Sequence, residues 1–115
     1  MKFSVLVAIV ADELEEKAID SAKAAGAGGM TILHGRGIGA EERKTFFGLS
    51  YQGSQVALVC ILERKLSVTV MKRLTEDLDL KTESKGVVFT LPLEHIAGID
   101  MRQVASFAEQ IREEI

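Results

Sequence analysis

The sequence predicts an α+β domain in which strands and helices follow one another as strand–helix–strand–strand–helix–strand, with a further helix at the end. Three observations predict it. Two aliphatic, β-branched runs, Phe3–Ala11 and Gln55–Glu63, are each followed directly by a segment with helical spacing. Two shorter aliphatic runs, Met30–Gly35 and Val87–Leu91, come after those helices across glycine-rich or polar turns. A segment rich in glycine and charge, Arg36 to Gly53, separates the second strand from the third.

The elements follow in order. Phe3–Ala11 has no charged residue and suits a strand. Asp12 stands where an N-cap belongs, and Glu15 three residues on completes a capping-box pattern. Leu14, Ala18, Ala22 and Ala25 then fall on one helical face, and Gly26 stops the helix before the turn Ala27-Gly28-Gly29. Met30–Gly35 is the second strand and Gln55–Glu63 the third. The second helix is Leu66–Leu78, with Val70, Met71, Leu74 and Leu78 facing inward. Lys81–Gly86 is a polar turn, and Val87–Leu91 is the fourth strand, ending at Pro92. Asp100 and Gln103 open a last helix with the stripe Met101, Val104, Phe107, Ala108, Ile111 and Ile115. This is the split βαβ, ferredoxin-like arrangement: four antiparallel strands with two helices on one face, in a single domain over residues 1–115.

The strands carry a second message. A sheet with one wet face should alternate apolar and polar residues. Here Phe3, Val5, Val7 and Ile9 share a strand with Leu6, Ala8 and Val10, and Val56, Leu58 and Cys60 alternate with Ala57, Val59 and Ile61. Both faces are apolar, so the face away from the helices calls for cover. The last helix can supply part of it, and neighbouring subunits the rest.

Composition narrows the function. A net charge of −3 with dispersed basic residues, and only five phenylalanines and one tyrosine, argue against nucleic acid as a partner. Cys60 is the single cysteine, which excludes an intrachain disulfide or a thiolate metal cluster. Met1–Val10 is followed by Asp12, Glu13, Glu15 and Glu16 without a cleavage-site pattern, and no apolar run approaches the ~20 residues that span a bilayer. The expectation is a soluble, cytoplasmic protein without membrane insertion.

Three strings resemble those of the PII signal-transduction family. Gly29-Met30-Thr31 opens the second strand and Gly35-Arg36-Gly37-Ile38-Gly39 leaves it, similar to the family's Gly-Met-Thr start and the Gly-Phe-Gly base of its long T-loop. Ser84-Lys85-Gly86-Val87-Val88-Phe89 resembles its B-loop lysine followed by an aliphatic strand. The resemblance covers roughly Lys2 to Ile99. It implies a non-enzymatic homotrimer with its sheets packed inward. Three inter-subunit clefts would bind an adenine nucleotide (AMP, ADP or ATP) as effector rather than as an obligatory cofactor. It also implies a loop that docks on a target protein, a transporter or an enzyme. Carried over by position, the ligand residues are Ile9 below the base, Thr31 near the adenine, Gly37 and Gly39 at the loop base, and Lys85 at the phosphates; Gly35 and Arg36 beside the loop base, and Ser84 and Gly86 beside Lys85, complete the candidate set. Ala40-Glu41 stands where the family has Arg-Gln, and the arginines after the last strand have no counterpart in Leu93–Gly98. Both departures weigh against joint binding of Mg-ATP and 2-oxoglutarate.

Chemistry supports the same residues independently. Glycine-rich backbone can cradle phosphate, and Arg36 and Lys85 add positive charge. In the loop 38–53, Phe46, Phe47 and Leu49 are apolar groups in a polar segment and suit partner anchors. No serine or cysteine has a histidine base in plausible sequence context, so no catalytic set emerges. His34 and His95 show no metal-ligand spacing. Two other readings fit the architecture: a metal-linked structural trimer of the CutA type, and a small ferredoxin-like enzyme. The CutA pattern of a tryptophan-rich, cysteine-bearing centre is missing, since the chain has no tryptophan.

Overall fold

The computed structural model describes residues 2–38, 45–46, 49–50, 53–83 and 86–98. Strand β1 (Phe3–Ala11) leads through a 3-10 turn (Asp12–Leu14) into helix α1 (Glu15–Ala24). Strand β2 (Thr31–Gly37) follows, then two-residue strands β3 (Thr45–Phe46) and β4 (Leu49–Ser50), and the long β5 (Gly53–Glu63). Helix α2 (Arg64–Asp77), the short α3 (Leu80–Glu83) and strand β6 (Gly86–Pro92) complete the order. The main sheet runs β2-β5-β1-β6 with every neighbour antiparallel, and β3 pairs with β4 in a separate small ribbon. This is the ferredoxin-like fold.

Residues of one parity on the sheet meet the helices. Leu6, Ala8 and Val10 of β1 and Val56, Leu58, Cys60 and Leu62 of β5 are buried. They pack with Ala18 and Ala22 of α1 and with Val70, Leu74 and Leu78 around α2. Alanine at 18 and 22 lets the α1 backbone approach closely. Helix α1 ends as its glycine demands: Gly26 sits at φ +116°, and the amides of Gly26 and Ala27 donate to the carbonyls of Lys23 and Ala22. That is a Schellman stop, and it satisfies carbonyls the helix would otherwise strand.

Several local expectations are corrected. Asp12 does not cap α1. It begins the 3-10 turn, and the N-cap position falls on Leu14 with no side-chain cap. The turn leaving β1 takes up three residues before helical geometry starts. Helix α2 starts at Arg64 rather than Leu66, because the Glu63 carboxylate accepts from the amides of Lys65 and Leu66 at 3.0 and 3.2 Å. Strand β2 extends through Gly37, which pairs with Gly53, so the loop between the sheet strands shortens to residues 38–52 and contains β3 and β4. The expected polar turn after α2 holds α3, entered through Asp79 in the left-handed region (φ +52°). The expected last helix lies outside the described residues.

The other face of the sheet stays open in the single chain. Phe3, Val5, Val7 and Ile9 are half-buried, while Leu33 (56%), Ile61 (53%) and Leu91 (52%) are more than half exposed. Val87 and Phe89 lie on the same face and are also exposed. Monomers seldom leave a contiguous apolar surface of this kind uncovered.

Candidate functional site

Register places the candidate residues. Leu33, Ala57, Ile9 and Val87 form one row across the sheet, and His34, Val56, Val10 and Gly86 form the next. Beyond them Gly35 and Ala11 both lie opposite Gln55, then Arg36 faces Ser54 and Gly37 faces Gly53. Ile9, Gly35, Arg36, Gly37 and Gly86 therefore gather at one end of the sheet. Gly35–Gly37 belong to the edge strand β2 and Gly86 to the opposite edge, β6. Three interstrand steps separate the edges, about 14 Å.

At that end the open face holds a shallow depression of about 170 Å³, lined by Ile9, Leu33, Gly35, Arg36, Gln55 and Ala57 among others. Its floor is aliphatic and Gln55 adds hydrogen-bonding capacity, while Arg36 borders it with the strand parity of His34 rather than of Gly35. Such a surface suits the flat apolar side of a ring with an anionic or polar edge. Gly35 keeps it open, for no atom outside its chain neighbours lies within 4 Å of where its Cβ would stand. Gly86 has the opposite reason. A Cβ there would lie 2.6 Å from Val10 Cγ1 and 2.8 Å from the Ile9 carbonyl oxygen, so only glycine lets β6 approach β1.

The remaining residues expected at the site fall elsewhere. Thr31 sits in the row of Val59, Val7 and Phe89, exposed and four residues before Gly35, which is about 13 Å along a strand. It does not line the depression within this chain. Phe46 is the register partner of Leu49 in the β3–β4 ribbon. Gly39, Phe47, Ser84 and Lys85 lie outside the described residues. Leu33, Gln55 and Ala57 went unremarked in the sequence as ligand-facing. Strand parity carries the signal for them, since each shares a face with Ile9 or Gly35 once the register is known.

Two polar contacts lie off the open face. His34 Nε2 pairs with Glu15 Oε1, joining β2 to the start of α1. Between the helices, Asp77 Oδ2 accepts from Ser21 Oγ at 2.8 Å and from Arg73 Nε at 2.9 Å, beside a groove of about 340 Å³ that Lys17 and Asp20 also line. The Ser21 hydroxyl, with help from Arg73 and Lys17, holds the Asp77 carboxyl below its ordinary range. Among the described residues no group of three or more His, Cys, Asp or Glu side chains is placed to hold a metal ion. Nor is any helix there long and apolar enough to cross a membrane.

Comparison with known proteins agrees with the fold. A family model described as nitrogen regulatory protein P-II matches residues 3–103. A crystal structure of a PII-like signaling protein from Thermus thermophilus superposes with a TM-score of 0.61 at 19% identity, covering 81% of this chain and 87% of that one. The apo form of CPII from Thiomonas intermedia K12, a nitrogen regulatory PII-like protein, gives 0.59 at 19% identity over 81% and 90%. The same CPII bound to ADP and bicarbonate gives 0.58 at 20% identity over 81% and 87%. No curated protein matches the chain in sequence.

Proposed function

The chain belongs to the P-II family of signalling proteins, and from that premise we propose that it is a cytoplasmic regulatory homotrimer whose effector is an adenine nucleotide or a similar small ligand. The ligand binds where the depression beside Gly35–Gly37 meets a second subunit, and the loop 38–53 passes the signal to a target transporter or enzyme. The protein has no catalytic role of its own.

The observation that carries this reading is the depression at the glycine end of the open face. At about 170 Å³ it is smaller than the ~300–1,000 Å³ of a complete small-molecule site, and it opens onto an apolar face that itself calls for cover. One packing event answers both needs. A neighbouring sheet laid on Ile61, Phe89 and Leu91 buries the face and brings a second wall to the depression. ADP is a natural first candidate, since CPII has been solved with ADP and bicarbonate.

Calorimetry tests the ligand directly, with AMP, ADP and ATP, each with and without bicarbonate. A mono- or diphosphate is expected to bind in preference to Mg-ATP with 2-oxoglutarate, because Ala40-Glu41 cannot reproduce the Arg-Gln pair. Tight, synergistic binding of Mg-ATP and 2-oxoglutarate would overturn that preference. Lys85→Ala is expected to weaken nucleotide binding by about 1.5–3 kcal/mol, the scale of a hydrogen bond to a charged group. Unchanged affinity removes Lys85 from the site.

A further inference from the structure

The contact between His34 and Glu15 lies at the edge of the candidate site: His34 also borders the depression, while its ring reaches to the helix side of the sheet. His34 is followed directly by Gly35-Arg36-Gly37, the last residues of β2 before the loop. Strand β2 is an edge strand, paired only with β5 in the main sheet. Gly35 and Gly37 bring no side chains with which to pack this end of it. The His34–Glu15 contact reaches across to the first residue of α1 and ties the strand end to the helix layer.

The tie has two strengths. Histidine is the side chain whose charge changes between pH 5 and 8. With a protonated imidazole the contact is an ion pair, and with a neutral one it is a hydrogen bond alone. The charged groups around the pair are Asp12, Glu13 and Glu16, which flank Glu15 at the start of α1, and Arg36, two residues along β2. Opposite this stretch β5 presents Val56 and Ser54, neither of them charged.

We propose that the His34–Glu15 pair is a proton-dependent clip that positions the Gly35–Gly37 loop base, so that effector binding is tighter when His34 is protonated. The proposal rests on the ligand reading above: with the clip engaged, the strand end is ordered before the ligand arrives, and less order has to be imposed on binding. His34 and Glu15 act here as positioning residues and need not touch the ligand.

The test uses the full chain with ADP as probe, from pH 5.5 to 8.5, and two readouts. One is amide hydrogen exchange over residues 33–37, corrected for intrinsic rates, and the other is the ADP dissociation constant. An ion pair this exposed acts on the scale of about a two- to fivefold change in an equilibrium. Native protein should therefore lose two- to fivefold protection in this stretch as pH rises. Its ADP affinity should weaken by a similar factor beyond the trend of Glu15→Gln, which reports the phosphate's own titration. Glu15→Gln and His34→Gln should be flat in exchange at the less protected level. His34→Lys, a permanent cation, should be flat at the protected level. If native protein and Glu15→Gln share one exchange profile, or if His34→Gln keeps the native profile, the clip is refuted. If exchange behaves as expected but ADP affinity follows the same pH trend in every form, the clip does not govern the site. If ADP binds to none of the forms, the ligand reading and the regulation of it fall together, while the exchange profiles still decide whether the clip itself exists.

Discussion

Replacing Gly86 with alanine tests the packing at the site's far edge. The new Cβ would lie 2.6 Å from Val10 Cγ1 and 2.8 Å from the Ile9 carbonyl oxygen, against 3.4 Å or more for an ordinary contact. Val10 is buried, so its methyl cannot swing into solvent, and the Ile9 oxygen belongs to the central strand β1. The β1–β6 pair has to part by several tenths of an ångström. Overpacking of this kind costs about 1–3 kcal/mol, whereas the stiffer unfolded chain of alanine returns about 0.4–1 kcal/mol. Strain wins, with a net loss of about 1–2 kcal/mol. At roughly 4 °C per kcal/mol for a domain of this size, the melting temperature should fall by about 4–8 °C. Gly35→Ala is the internal control. Its Cβ meets nothing within 4 Å and its φ lies outside the left-handed region, so stability should hold or rise by up to about 1 kcal/mol while ADP binding weakens. Both variants are to be melted at one protomer concentration, since assembly makes stability concentration-dependent. A Gly86→Ala protein that melts with the native one, or a Gly35→Ala protein that melts equally low, would refute the reasoning.

Three further outcomes are expected. The native chain should scatter light as three times its 12.5 kDa mass, and the double variant Ile61→Lys, Leu91→Lys should run as a monomer; a native monomer sinks the trimer. The Asp77 carboxyl is held low chiefly by the Ser21 hydroxyl, then by Arg73. Its contribution to stability is therefore complete above the unfolded-state value near ~3.9 and is lost as pH falls towards the lower folded value. Asp77→Asn should flatten the acid limb of a stability-versus-pH curve, and an unchanged limb would contradict the assignment. Cys60 is buried and burial raises its thiol pKa, so a thiol reagent should modify it slowly in the native state and at once in denaturant; fast native labelling would contradict the burial.

Much of the fold was legible because its signals are local and redundant. The runs around Val7 and Val59 are too rich in β-branched residues to be anything but strands. The inner face of α2 was read correctly at Val70, Leu74 and Leu78, all buried, and at Met71, which packs beside them. What escaped was geometry that composition does not encode. Glutamate is an uncommon N-cap, so Glu63 was read rightly as the last residue of its strand but not as the cap of α2, while Asp12 drew the capping assignment. Glycine dilutes strand propensity, so Arg36-Gly37 looked like loop, although pairing with β5 keeps it in the sheet. Of the residues around the depression, Ile9, Gly35 and Arg36 were already singled out in the sequence. Leu33 and Gln55 became visible only through register. The His34–Glu15 pair spans 19 residues and a change of layer, with no local mark of its own.

Register is also where fold and site depend on each other. Both faces of β1 are largely apolar, so hydrophobic burial alone would tolerate a one-residue slip that turns the strand over. Size and shape break the tie. The helix-facing set Leu6, Ala8 and Val10 leaves room for α1 to approach, while Phe3, Val5, Val7 and Ile9 are bulkier as a group. Gly86 adds a second constraint on the other side of the strand. It fits against Val10 and the Ile9 carbonyl only because it lacks a Cβ, and a slip of β6 by one residue would press Val87 into that space. The same pairing sets Ile9 beside Val87 on one side and Ala57 on the other, with Leu33 next in the row. A substitution that loosens the β1–β6 register therefore disturbs the floor of the depression as well as the core, and Gly86→Ala should lower ADP affinity although Gly86 stands on the edge opposite Gly35.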